Sequence, residues 1–103
     1  MSVAILGGLD RLKRSYENKG RAHGCDIRVF SRRVPNLAER LRGVHGIVIF
    51  TGAVAHSMVT EALMVARKYR IPVSRHRSQS VAALAGGLRS LHAARRDPAM
   101  QEG

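Results

Sequence analysis

The sequence predicts an α/β fold: a four-stranded parallel sheet in the spatial order 2-1-3-4, with helices on both faces. Three observations carry that expectation. The run Gly46-Ile47-Val48-Ile49-Phe50 is short, β-branched and apolar after its glycine, as a strand covered on both faces has to be. From Met58 the period changes, and Met58, Val59, Ala62, Leu63, Ala66 and Tyr69 recur at three- and four-residue steps, the mark of one helix with one buried face. Runs of the first kind alternate with segments of the second, and strands separated by helices pair in parallel through right-handed crossovers.

With 103 residues, 45% of them apolar, the chain has material for one core. We therefore expect a single small Rossmann-like, doubly wound domain over 1–92. A flexible tail is expected over 93–103, since Asp97 to Gly103 has nothing to bury.

In chain order, Ser2-Val3-Ala4-Ile5-Leu6 reads as a buried strand that ends in the tight turn Gly7-Gly8. Leu9, Leu12 and Tyr16 form the apolar stripe of the next helix, with Asp10 as its cap and Gly20 as its end. Cys25 to Phe30 alternates polar and apolar residues, which suits a half-exposed edge strand. Arg32 to Pro35 is loop, Asn36 caps a brief helix from Leu37 to Leu41, and Gly43 leads into the central strand. The Met58 helix ends in Arg67-Lys68-Tyr69-Arg70, where positive charge suits the helix dipole, and Pro72 stops it. Ile71 to Ser74 reads as the fourth strand, its proline at the start, where a missing N–H is tolerated. Arg75 to Ser80 is a turn, and the last helix runs from Ser80 to His92 with Val81, Leu84, Leu88 and Leu91 on one face.

The net charge is +11, and ten of the eighteen basic residues lie between Arg11 and Arg42, so an anionic partner is expected. Nucleic acid is possible by charge only. Two Tyr, two Phe and no Trp leave few rings to stack, and no helix-turn-helix, zinc-finger or aromatic RNA-binding signature is present. No run approaches the roughly 20 apolar residues of a membrane span and no leader pattern opens the chain, so no membrane partner and a cytoplasmic location are expected. Cys25 has no cysteine to pair with and reads as a small buried thiol.

In doubly wound sheets, ligands bind beyond the carboxyl ends of the strands where the strand order reverses, here between the first and third strands. Three segments meet there: Gly7-Gly8-Leu9-Asp10-Arg11, Thr51 to Ser57, and Arg75 to Ser80, each opening a helix. Their helix N-termini, the hydroxyls of Thr51, Ser57, Ser78 and Ser80, and the guanidinium groups of Arg11, Arg75 and Arg77 favour a small anionic ligand. Ser78 and Ser80 have a second reading as helix caps. Gly7-Gly8 falls short of the G-x-G-x-x-G nucleotide pattern, and its second reading is a tight turn.

Catalysis has little support. A receiver domain of this topology needs an acidic acceptor where Thr51 stands, and a small tyrosine phosphatase needs an arginine six residues after its cysteine, where Ser31 stands. There is no G-x-S-x-G elbow, and Asp10 is the cleft's one carboxylate, so His56 lacks an orienting acid. His56 itself has two readings. It is either a loop histidine bonded to a backbone carbonyl, or a metal ligand, the axial base of a haem iron walled by Val54, Met58 and Val81 with arginines beside the porphyrin carboxylates. His23, His45, His76 and His92 share no metal-ligand spacing with it.

These residues also carry a resemblance. A strand closed by Gly7-Gly8, then Thr51-Gly52-Ala53-Val54-Ala55-His56 opening a helix, then Ile71-Pro72-Val73 and Arg77-Ser78-Gln79-Ser80 opening the last helix, resembles a small bacterial family catalogued as a domain of unknown function. The likeness spans Ser2 to about Leu91. It implies a Rossmann-like fold and, because some relatives are described as haem-containing, dioxygen-binding proteins, a haem for which His56 would be the iron ligand. This chain departs from the family in having Gly52 where relatives usually carry an acidic residue and Ser57 where Asn is common.

Val81, Leu84, Leu88 and Leu91, with Gly86-Gly87 on the same helix, suit either packing on the sheet or a homodimer through the 80–92 helix. The function expected is a small ligand-binding protein, with haem held by His56 as the leading candidate. The alternative is a regulatory module that binds a phosphate-bearing ligand, nucleotide or nucleic acid.

Overall fold

The structure, a computed structural model, describes residues 1–96. Its strands are β1 (Ser2–Leu6), β2 (Asp26–Phe30), β3 (Gly46–Phe50) and β4 (Val73–His76), and its helices are α1 (Lys13–Ala22), α2 (Leu37–Leu41), α3 (His56–Tyr69) and α4 (Val81–Arg96). All three strand pairings are parallel, in the order β2-β1-β3-β4. The predicted fold class and strand order are therefore those observed.

The two-sided burial expected of the central strands follows from their alternation. Ala4, Leu6, Ile47 and Ile49 point to one face and pack with Leu37, Leu41, Met58, Ala62 and Val65 of α2 and α3. Val3, Ile5, Val48 and Phe50 point to the other, against Tyr16 of α1 and Leu84, Leu88 and Leu91 of α4. Every residue of β3 is buried, whereas β2, at the sheet edge, alternates from Asp26 to Val29 and ends in the buried Phe30.

Several local expectations are corrected. Gly20 does not end α1; it lies inside it, where a Cβ would collide with Ile27 of β2, so the missing side chain lets helix and sheet approach. The helix stops instead at Gly24, whose φ is +72°, with the Gly24 and Cys25 N–H groups donating to the Arg21 and Gly20 carbonyls. Asp10 makes no capping bond and begins a 3-10 turn, Asp10–Leu12, ahead of α1. Asn36 precedes α2 but does not cap it with its side chain; its φ of 60° is left-handed, a conformation asparagine tolerates. The Ala38 N–H of α2 donates instead to Glu61 of α3, at 3.3 Å.

α3 begins two residues earlier than its apolar period suggests, and Tyr69 is 43% exposed rather than part of the core. The Tyr69 ring instead lies near the cationic heads of Lys68 and Arg42. β4 starts at Val73 rather than Ile71, because a left-handed Arg70 (φ 55°) and the Ile71 N–H bonded to the Ala66 carbonyl close α3 first. α4 continues past His92 to Arg96, with Ala94 buried. The remainder of the expected tail, 97–103, lies outside the described residues.

The stripe on α4 packs on its own sheet. Leu84, Leu88 and Leu91 are at most 1% exposed, and a Cβ at Gly87 would stand 2.8 Å from Nε2 of His76 on β4. That face is therefore occupied within the chain and does not supply the interface of the expected homodimer. Among the described residues no helix is long and apolar enough to cross a membrane.

Candidate functional site at the carboxyl edge of the sheet

A parallel sheet directs every strand's carboxyl end to one edge, so the loops after β1, β3 and β4 are neighbours by topology. Here they are also bonded together. Tyr16 is fully buried, and its hydroxyl accepts from the Leu9 N–H at 3.2 Å and donates to the Gln79 carbonyl at 2.6 Å, joining the loops after β1 and β4. A Cβ at Gly7, whose φ is +87°, would stand 2.5 Å from the Ala53 carbonyl oxygen, so the loop after β1 lies directly on the 3-10 turn Thr51–Ala53 that follows β3. Gly52 lies against the Arg77 carbonyl in the same way, and the Thr51 hydroxyl donates to the His76 carbonyl at 3.4 Å. The loops expected to frame the cleft are thus packed against one another, and the polar residues predicted on them are termed the rim.

The rim residues are distributed as follows. Thr51, His56, Ser57, Arg11, Arg75, Arg77, Ser78 and Ser80 are exposed, Gly8 is half-buried and Gly7 is buried. Ser80 is a cap: its hydroxyl accepts from the Ala83 N–H at 3.0 Å, and the Ser78 hydroxyl bonds the Ser80 hydroxyl and N–H. Ser80→Ala should therefore lower stability by about 1 kcal/mol in chemical denaturation, and Ser78→Ala by less. His56 is the first residue of α3, and among the described residues its ring has no hydrogen-bond partner, so the backbone-carbonyl reading does not hold. Of the three residues expected to wall a cofactor, Met58 is 1% exposed inside the core, while Val54 and Val81 are half-buried at the margins of the two apolar clusters.

Arg33 was not among the expected site residues. From the loop after β2 it reaches α3, with Nη1 donating to the Ser57 hydroxyl at 3.4 Å and Nη2 lying 3.1 Å from the Glu61 carboxylate. The signal was available, since Arg32-Arg33 follows the carboxyl end of β2 and that end shares the edge. Arg32 stands 3.9 Å from Asp10, a pairing so exposed that it fixes little. Arg11, Arg75 and Arg77 have no carboxylate within ion-pair distance among the described residues.

The opposite edge holds an open hollow of about 690 Å³ lined by Met1, His45, His92 and Arg95. Its imidazoles serve the fold: Nδ1 of His45 accepts from the Ser2 N–H, and Nε2 of His92 is 2.9 Å from the His23 carbonyl. Cys25 lies nearby and is buried, and burial pushes its thiol above the ordinary value despite the opposing N-terminal ammonium. It is held as a neutral thiol, not a nucleophile. Among the described residues no three of His, Cys, Asp and Glu are grouped as a metal centre requires.

Searches of curated proteins and of solved structures each found no match. A protein-family model matches residues 2–91, nearly the whole described domain. The chain belongs to that family, described as an uncharacterized protein conserved in bacteria (DUF2325).

Proposed function

We propose that this protein binds a small anionic ligand at the carboxyl edge of its sheet, with Arg11 and Arg77 as the principal charges and Thr51, His56 and Ser57 beside them. One observation carries the reading: these arginines stand without carboxylate partners on loops that Tyr16 ties together. Unneutralised positive charge on a fixed frame attracts an anion at low ordering cost. Arg33 bonds Ser57 at the start of α3 but is paired with Glu61, so it positions Ser57 and adds no free charge.

Haem is the narrower candidate that the resemblance raised, and the described residues support it less than a small anion. The exposed imidazole of His56 and the arginines match the iron and the propionates. Among the described residues its apolar wall is reduced to the half-buried Val54 and Val81, because Met58 is buried in the core and the exposed neighbours include arginine, serine and threonine.

Pyrophosphate titrated into the protein by calorimetry tests the proposal. Arg11→Ala/Arg77→Ala should weaken binding at least tenfold, whereas Lys68→Ala should leave it unchanged; equal affinity in the double variant would refute the assignment. A parallel haem titration should give no Soret band that depends on His56. A band lost in His56→Ala would reinstate haem as the ligand.

A further inference from the structure

We propose that a second surface, the flank formed by α1, the β2 edge and α2, binds the phosphate backbone of duplex nucleic acid without reading sequence. α1 packs on one face of the sheet beside β2, with Gly20 on Ile27, and α2 packs on the other face, so their exposed cations border the β2 edge from both sides. Arg14 and Arg21 are one seven-residue step apart, about 10 Å along one helical stripe, and both are exposed. Arg28 projects from the exposed edge strand and Arg40 from the short α2 beyond it.

The charges on this flank are largely free. Among the described residues Lys13, Arg14, Arg28 and Arg40 make no ion pair, and Arg21 bonds only the neutral Asn18 side chain. Of the flank's carboxylates, Glu17 and Asp26 make no ion pair with them, and Glu39 of α2 pairs with Arg42 instead. Lys13 and Arg14 also open α1, at the end where the helix dipole is already positive, so their placement does not serve the helix. A single cation on β2 would serve to protect a bare sheet edge; four more on the flanking helices exceed that need.

The chemistry selects the partner. No ring is available for base stacking, because Tyr16 and Phe30 are buried, so contacts are to phosphates and the strands need not be separated. The exposed large apolar residues, Met64 and Tyr69, are on α3 and give this flank no anchor for a lipid surface. None of the flank's five cations belongs to the rim, although Arg11 of the rim precedes Lys13 by two residues, and the inference does not rest on the anion site.

The test uses fluorescence anisotropy with a mixed-sequence DNA duplex across 50–200 mM salt. Wild type should bind with a log–log salt slope of about −3 to −5, roughly 0.9 per phosphate neutralised. Lys13→Glu/Arg14→Glu/Arg28→Glu should lose at least tenfold in affinity and show a shallower slope, while unfolding at a temperature no lower than wild type. The control Arg67→Glu/Lys68→Glu/Arg89→Glu removes the same charge from exposed positions on α3 and α4 and should keep most of the binding. Equal loss in the two variants, or binding to anionic phosphatidylserine vesicles but not to the duplex, would overturn the proposal.

Discussion

Gly7→Ala should destabilise the domain by about 3 kcal/mol or more. Two costs fall on the same atom. With φ at +87°, an L-residue is strained by roughly 1–2 kcal/mol. The new Cβ would also stand 2.5 Å from the Ala53 carbonyl oxygen and 3.0 Å from Cβ of Val54. A backbone carbonyl cannot rotate away as a side chain can, so the loop after β1 or the turn after β3 must move. Gly24→Ala separates the two costs, because Gly24 also has positive φ (+72°) but no atom within 4 Å of an added Cβ. Urea denaturation should show a loss of about 1 kcal/mol for Gly24→Ala. If the two variants lose equally, the loops after β1 and β3 are not in the close contact described.

Tyr16→Phe is the second large prediction and the one that couples stability to the site. The ring would keep its place against Phe50, 5.4 Å away between centroids, but the Leu9 N–H and the Gln79 carbonyl would lose their shared partner. Leaving such groups unpaired costs about 1–3 kcal/mol. Because Leu9 and Gln79 belong to loops bearing Arg11 and Arg77, pyrophosphate affinity should fall as well, although Tyr16 touches no rim charge. Tyr16→Ala adds a cavity and should cost about 3–5 kcal/mol. Tyr69→Phe, at an exposed tyrosine, should be close to neutral on both measurements. An affinity unchanged in Tyr16→Phe would show that the loops hold their positions without this bridge.

The strand order, the buried run of β3 and the alternation of β2 were all legible because periodicity reports directly on which faces of an element are covered. Glycine was harder to read. Gly20 and Gly24 are chemically identical in sequence, yet one permits α1 to lie on Ile27 and the other turns the chain, and nothing local distinguishes close approach from left-handed φ. Asn36 has the composition of a cap and serves as a left-handed hinge, since Glu61 on another helix takes over the bond to α2. The Ser78 and Ser80 hydroxyls were open between ligand contact and cap, and the bond to the Ala83 N–H makes Ser80 a cap.

For the site, the sequence alone determined which loops share an edge, because parallel pairing fixes the direction of every strand. It also determined the chain's family, whose model matches residues 2–91. Only the tertiary structure decided that Tyr16 bridges two loops distant in sequence, that Arg33 joins Ser57, and that Met58 and the α4 leucines serve the core instead of a ligand or a second copy. The reason is geometric: periodicity records that a face is covered, but what covers it depends on contacts between segments far apart in the chain.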